Sequence, residues 1–339
     1  MLQLTVAICI LLSLILYALM GGADFGGGMW DLLAAGPRAP RQRKAIAAAI
    51  GPIWEANHVW LILVLVLLFT GFPPAFAAMM TALNIPITLM VFGIVLRGSA
   101  FVFRAHNSKP EAGQRRWGMV FGAACFITPF FQGVTVGALA TGQIRVLHGQ
   151  VASGFFAGWL TPFALACGIF TLGLFAFLAA TYLTLDTKAQ PDLQNDFRLR
   201  ALGSGLALAP VAFAVFRLAR HGAPEMFQGL TRWWAPWLLV ATGVFALTAL
   251  AALWRRQFVL ARMAAIGQVS LILVGWSRAQ YPALITPDVT VAQAHAGEAT
   301  LRLLIWALGI GALLLLPSLA FLFHLFKGQE IRESRNEPS

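Results

Sequence analysis

Three polar residues, Glu55, Asn57 and His58, interrupt a nearly continuous apolar stretch over residues 51–72. An ionisable side chain at the centre of a membrane helix costs about 2.5–3.5 kcal/mol on insertion scales, so such a residue is a functional candidate. On a helix, Glu55, His58 and Ile62 share one stripe, which is expected to face protein or water rather than lipid. A carboxyl group at this position is therefore a functional hypothesis.

A second carboxyl group, Asp24, lies in the glycine-rich segment 21–30. Glycine permits close backbone approach and positive φ, so this segment is expected to end the first helix and to pack tightly against a neighbour. Two interpretations of Asp24 remain open. It is either a carboxylate held in the gap between packed helices or a solvated aspartate beside a glycine turn.

The depth of Glu55 depends on where its helix begins. If the helix starts directly after Lys44, Glu55 is 11 residues into it, at about 16 Å and mid-membrane. If Gly51-Pro52 restarts the helix, Glu55 lies close to the membrane interface. The apolar run 45–50 favours the deep placement. A structural pairing of Glu55 with an arginine from another helix stays open as the alternative to a relay.

Arg97 ends the third expected helix, seven residues before Arg104. It is either the buried partner of a carboxylate or an anchor whose charged end extends to the interface and helps to set topology. Arg97 is expected to be the more deeply embedded of the two arginines.

Four histidines raise the question of haem ligation: His58, His148, His295 and His324. No pair of them has the spacing of a two-helix haem clamp, and we expect hydrogen-bonded core residues instead.

The composition excludes most soluble functions. Hydrophobic residues make up 59% of the 339 residues and charged residues only 11%, with a mean hydropathy of +0.77, whereas globular domains carry about 25% charged residues. The net charge of +11 does not indicate nucleic-acid binding, because the Lys and Arg residues lie in short connectors between apolar runs. Cysteines without metal-ligand spacing, and the lack of phosphate-binding loops or Ser/His/Asp arrangements, indicate neither a metal site nor hydrolysis.

The apolar runs predict an all-α polytopic membrane protein, with residues 1–339 as one integral membrane domain. About nine transmembrane helices are expected, near residues 3–24, 46–72, 76–98, 117–141, 152–183, 201–219, 234–254, 257–280 and 302–326.

Several segments together resemble a known family. They are Gly22-Ala-Asp-Phe-Gly-Gly-Gly-Met-Trp30, Arg43, the run from Ala49 through Trp54-Glu-Ala-Asn-His58 to Ile62, Phe69 to Phe76, Gly275 to Pro282, and Leu316-Pro317. This set is similar to subunit II of the cytochrome bd-type quinol oxidases. The short loops resemble the branch often called cyanide-insensitive.

The resemblance implies a fold of two four-helix bundles plus one peripheral helix. It also implies a partner, subunit I, that carries two b-type haems, one d-type haem and the quinol site, and a complex that reduces oxygen to water. Subunit II would then hold no catalytic, metal-binding or cofactor-binding residue. It would support assembly and contribute to proton uptake from the cytoplasm. A bound quinone and a small single-helix accessory subunit are further partners that the resemblance allows.

The resemblance also carries over individual residues. Acidic family positions in helices 1 and 2 match Asp24 and Glu55, and a family arginine at the end of helix 3 matches Arg97. Some members have Asp at the Glu55 position and Gln at the His58 position. We therefore expect a proton pathway through Asp24, Glu55 and His58. Structural or electrostatic support is expected from Arg97, Asn57 and Trp54.

Two other functions fit parts of the pattern. A proton-coupled secondary transporter also uses intramembrane carboxylates, but such proteins often show matching broken helices in two halves, and no such pairing is evident. A haem-binding cytochrome acting alone would need axial ligands that the sequence does not convincingly offer. The expected location is the bacterial cytoplasmic (inner) membrane.

The basic residues predict the orientation in the membrane. With the N-terminus outside, 18 of the 24 Lys and Arg residues lie in cytoplasmic connectors, in accord with the positive-inside rule. A reporter fused after Ser339 should therefore be cytoplasmic, and one fused before Met1 periplasmic. A periplasmic C-terminus would mean that one span is miscounted, with the region 201–254 as the first to re-examine.

Overall fold

The computed structural model describes residues 1–51, 54–105 and 110–336, with side chains described except at 54–56, 105, 110–115, 316, 319–320 and 322–336. Twelve helices and two short hairpins follow one another within these residues. They are α1 (Leu2–Leu32), α2 (Ala39–Ile50), α3 (Trp54–Gly71), α4 (Pro73–Ala82), α5 (Asn84–Ala105), α6 (Pro110–Ala138), β1 (Val146–Leu147), β2 (Gln150–Val151), α7 (Pro162–Asp186), α8 (Pro191–Gly222), α9 (Pro224–Leu230), α10 (Ala235–Trp254), α11 (Phe258–Gln280), β3 (Ala283–Ile285), β4 (Val289–Thr290) and α12 (Glu298–Asn336).

The expectation of an all-α polytopic membrane protein is confirmed. Eight helices within the described residues are long and apolar enough to cross a membrane, and the bent pair formed by α3 and α4 raises the number to as many as nine. The two helices of that pair meet at an angle of 117°. Pro73 and Pro74 open α4, where a proline fits the first turn of a helix but could not continue the preceding one.

Helix α1 packs against helices from both halves of the chain. It contacts α2, α3, α6, α7, α11 and α12. The helix was expected to end near residue 24, but it continues to Leu32, so Asp24 lies inside a helix and not at a glycine turn. The glycines are needed for close packing here, and a helical backbone accommodates them.

Three consecutive glycines let three neighbours approach α1 closely. A Cβ atom on Gly26 would lie 2.0 Å from the carbonyl oxygen of Phe175 in α7. On Gly28 it would lie 2.2 Å from the Sγ atom of Cys125 in α6, and on Gly27 2.8 Å from Ile50 in α2. Successive residues of a helix point about 100° apart, so each glycine faces a different neighbouring helix.

The second expected span, 46–72, is described as two helices. Helix α2 ends at Ile50 and α3 begins at Trp54, with residues 52–53 outside the described part. Glu55 is the second residue of α3, one turn before His58. The depth of Glu55 in the membrane stays a prediction.

The fifth expected span, 152–183, begins too early. Helix α7 starts at Pro162, where the Thr161 hydroxyl caps it by accepting a hydrogen bond from the backbone N–H of Ala164 at 3.2 Å. Residues before it form the β1–β2 hairpin and turns.

An ion pair joins the connector before α7 to the β3–β4 hairpin. Arg145 donates to Asp288 at 2.8 and 3.1 Å, and the backbone N–H of Val146 donates to the same carboxylate at 2.8 Å. The hydrogen bond from Arg145, supported by Val146, lowers the pKa of Asp288 against the opposing effect of its partial burial. A carboxylate with a depressed pKa stabilises the fold above its unfolded value near pH 4, and this contribution is lost as pH falls through the folded value.

The close approach at Gly26 can be tested by adding one methyl group. Gly26→Ala should destabilise the purified protein, because its Cβ would overlap a backbone atom of α7 that cannot rotate away; overpacking of this kind costs about 1–3 kcal/mol or more. The measurement is the midpoint of thermal unfolding in detergent, with circular dichroism as the signal.

Gly203 in α8 provides the matched control. A Cβ there meets nothing within 4 Å, so Gly203→Ala should be neutral or should stabilise by up to about 1 kcal/mol through helix propensity. Equal midpoints for the two variants would contradict the packing role of Gly26.

Candidate functional site

A cluster of polar side chains lies inside the bundle where α1, α3 and α5 meet. Asp24 comes from α1, Asn57 and His58 from α3, and Arg97 from α5. Asp24, Asn57 and Arg97 are buried, at 5%, 1% and 1% exposure. The Asn57 Nδ2 group donates to Asp24 Oδ2 at 2.7 Å, and the Arg97 Nη2 atom lies 3.7 Å from the same oxygen.

The guanidinium of Arg97 also contacts His58, and this contact fixes the state of the imidazole. Arg97 Nη1 and His58 Nε2 are 2.9 Å apart. Because a guanidinium can only donate, His58 Nε2 must accept, which makes His58 neutral with its proton on Nδ1. Arg97 is therefore shared between an anionic or protonatable carboxyl group and a neutral imidazole.

Aromatic rings enclose the guanidinium. Its Cζ atom lies 4.8 Å from the ring centre of Phe25 and 5.8 Å from that of Phe121. The His58 ring packs between Phe25 and Tyr17, with ring centres 5.7 and 6.0 Å away. Cation–π contacts of this kind offset part of the cost of removing a guanidinium from water.

A second buried ion pair joins the same two helices two turns further on. Arg104 donates to both carboxylate oxygens of Asp31, at 2.8 and 3.3 Å. Asp31 and Arg104 are each seven residues beyond Asp24 and Arg97, so both pairs join residues 73 apart in the chain. Seven residues are about two helical turns, so α1 and α5 run in the same direction with one fixed register.

The two ion pairs have different geometry. Arg104 makes two hydrogen bonds to Asp31, an arrangement that fixes the relative position of the two side chains. At Asp24, by contrast, the arginine nitrogen is 3.7 Å away, beyond hydrogen-bonding distance, and the described hydrogen bond comes from a neutral amide. The contact between Arg104 and Asp31 is therefore closer than the one between Arg97 and Asp24.

Polar groups continue from this cluster along α6. Gln132 hydrogen-bonds the hydroxyl of Tyr17, whose ring packs on His58. Several buried polar atoms in this region have no hydrogen-bond partner among the described residues: Asn57 Oδ1, His58 Nδ1, Thr128 Oγ1 and Gln132 Oε1. Buried polar atoms are usually paired, so each of these is a candidate contact for an internal water molecule.

The structure decides between several interpretations of the predicted residues. A solvated Asp24 is wrong, because the carboxyl group is buried and hydrogen-bonded. An interfacial anchor is also wrong for Arg97, whose side chain is 1% exposed, against 24% for that of Arg104. Ile62, also in the predicted stripe, is 58% exposed and does not pack inside this chain. The side chains of Glu55 and Trp54 lie outside the described residues.

Sequence reasoning missed Asp31, Tyr17 and Gln132. A signal for Asp31 was present, since the spacing from Asp24 to Asp31 equals that from Arg97 to Arg104. Nothing comparable marks Tyr17 or Gln132, because their contact joins residues 115 apart on two different helices.

The cluster does not fit a haem site. His58 presents Nε2 to a guanidinium, which leaves no free Nε2 lone pair for an axial bond. Within the described residues, no group of three or more His, Cys, Asp or Glu side chains could hold a metal ion.

Similar proteins are found among families, curated sequences and solved structures. The family model for cytochrome bd terminal oxidase subunit II matches residues 2–326. The putative cytochrome bd menaquinol oxidase subunit II of Bacillus subtilis is 24% identical over 92% of this chain and 91% of its own length. The cytochrome bd-I ubiquinol oxidase subunit 2 of Escherichia coli is 29% identical over 61% of this chain and 53% of its own.

The fold has a solved counterpart. A chain in the structure of bd oxidase from Geobacillus thermodenitrificans superposes with a TM-score of 0.77, covering 96% of this chain and 98% of that one at 22% identity. The match to the family model extends over nearly the whole sequence. The chain therefore belongs to the cytochrome bd terminal oxidase subunit II family.

Proposed function

We propose that this chain supports the assembly of a haem-bearing subunit I and conducts protons from the cytoplasm through its α1–α3–α5 cluster. As a family member it is a subunit of a bd-type quinol oxidase, an oxidoreductase complex in the membrane. The observation that carries the proton role is the sharing of Arg97 between Asp24 and His58. In this proposal the haems lie on subunit I.

Oxygen reduction consumes protons, and drawing them from the cytoplasm conserves about 2.3 kcal/mol per charge per 100 mV of membrane potential. Such uptake needs protonatable groups inside the membrane. Asp24 is one station in our proposal, and Glu55 on α3 is the other. Glu55 and His58 occupy positions three apart on α3, a spacing that brings helical side chains to the same face.

Arg97 acts in this proposal as a counter-charge that can move. When Asp24 is protonated, the guanidinium stays on His58 Nε2 at 2.9 Å. When Asp24 is ionised, closing the present 3.7 Å contact to a charge-assisted hydrogen bond requires a shift of about 1 Å. The positive charge thus stabilises the ionised carboxylate without binding it permanently. Internal water on Asn57 Oδ1 and His58 Nδ1 would connect the stations.

The relay is tested by replacing the two carboxyl groups, one at a time, with amides. Glu55→Gln and Asp24→Asn keep size and most hydrogen bonding but cannot transfer a proton. Each should give a complex with a normal haem spectrum that loses most quinol-driven oxygen consumption. Glu55→Asp should retain much of the activity. Glu298→Gln, at an exposed carboxyl group at the start of α12, is the matched control and should be unchanged.

If Glu55→Gln turns over at the parent rate with intact haems, the relay through Glu55 is wrong. Loss of the haems would instead make Glu55 a structural residue.

The different geometries of the two ion pairs predict different rescue behaviour. Arg97→Ala and Arg104→Ala each leave a buried carboxylate without its partner, which typically costs about 3–5 kcal/mol. Arg97→Ala should reduce complex yield and haem content more, because its pair is more deeply buried. Adding Asp31→Asn to Arg104→Ala should restore both yield and turnover.

Adding Asp24→Asn to Arg97→Ala should restore the yield but not the turnover, since the protonatable group is gone. The readouts are haem absorbance per milligram and oxygen consumption per haem. Full recovery of turnover in that double variant would reduce Asp24–Arg97 to a structural pair.

A further inference from the structure

A polar cavity opens at the end of the bundle that holds the α1–α2 connector and the N-terminus of α8. It has a volume of about 340 Å³, and Arg38, Gln42, Asp196 and Arg200 are among its lining residues. Arg38 donates to both oxygens of Asp196, and Gln42 donates to one of them. Arg200 donates to the Gln42 side-chain oxygen at 2.7 Å. Two arginines against one aspartate leave the cavity with a net positive charge.

An apolar groove adjoins this cavity. It has a volume of about 270 Å³ and runs between α1, α6, α7 and α8. Apart from Ser204 its lining is apolar, with Leu33, Leu172, Ala176, Ala207 and Leu208 among the lining residues. From Ser204 to Val211 the groove follows α8 for seven residues, which is about 10 Å along the helix axis.

Trp30 and Arg200 form the boundary between the two spaces. Trp30 lines the groove and Arg200 lines the polar cavity. The guanidinium of Arg200 lies 5.2 Å from the centre of the Trp30 ring, and it also donates to the Trp30 carbonyl oxygen at 3.4 Å. A polar, positively charged compartment therefore lies beside an apolar one that extends along a membrane helix.

We propose that this composite site binds an anionic phospholipid. The phosphate would lie against Arg38 and Arg200, and an acyl chain would fill the groove beside Ala207. The described hydrogen bonds of Arg38 and Arg200 use two of the five N–H groups of each guanidinium, so both can donate further. Basic pockets between membrane helices are a known form of anionic headgroup site. This inference is independent of the proton relay.

The test measures lipid retention by the intact two-subunit complex. Native mass spectrometry would follow the complex in detergent with equal amounts of phosphatidylglycerol and phosphatidylcholine that carry identical acyl chains. The parent complex should retain phosphatidylglycerol preferentially. Arg38→Gln and Arg200→Gln should each lower that retention about fivefold, while Arg255→Gln, an exposed arginine at the same end of the bundle, should leave it unchanged.

A second pair of variants tests the groove and does not depend on charge. Ala207→Trp should block the acyl chain and lower the retention of phosphatidylglycerol. Ala209→Trp projects from the opposite side of α8, two residues or about 200° away, and should not. Asp196→Asn removes the competing carboxylate and should raise retention.

Three results would overturn the proposal. Equal retention of the two lipids would remove the role of the phosphate charge. Unchanged retention in both Arg38→Gln and Ala207→Trp would place the lipid elsewhere. A quinone mass on the parent complex that is lost with Ala207→Trp would assign the groove to a neutral ligand.

Discussion

The burial of one guanidinium group, that of Arg97, constrains the arrangement of α1, α3 and α5. A charged group removed from water is tolerated only when opposite charge and hydrogen bonds replace its hydration. Asp24 supplies the charge, His58 accepts a hydrogen bond, and the Phe25 and Phe121 rings cover the faces. These partners come from different helices, so the charge can be buried only when all of them are in place. The cluster thereby couples the packing of these helices to the burial of one charged group.

Close backbone packing makes that burial possible. Gly26 and Gly28 bring α7 and α6 against α1 at distances that leave no room for a Cβ atom. Asp24 lies on the same helix, one turn before Gly28, so the neighbours that pack on the glycines also exclude bulk water from its carboxyl group. The glycines contribute to the electrostatics of the site although they carry no polar side chain.

The apolar runs alone were enough to predict the membrane class and most helices, because a run of about 20 apolar residues is typical of a transmembrane helix. The site residues Asp24, His58 and Arg97 could also be identified, because a polar side chain in such a run is costly to bury and is therefore a functional candidate. What could not be predicted depends on tertiary contact. The continuation of α1 to Leu32, beyond its expected end near residue 24, depends on the neighbouring helices that pack against its glycines.

The register of α1 and α5 explains why one fold holds two ion pairs with different properties. Equal spacing of the acids and the arginines would by itself give two equivalent pairs. Among the described residues, α3 places His58 beside Arg97, and the Arg97 guanidinium lies 2.9 Å from the imidazole Nε2 atom and 3.7 Å from the Asp24 carboxylate. Arg104 instead makes two hydrogen bonds to Asp31. The Asp31–Arg104 pair holds the helices in register, and the same register keeps Arg97 within about 1 Å of a hydrogen bond to Asp24. A contact from a third helix thus distinguishes two ion pairs that the common register of α1 and α5 would otherwise make alike.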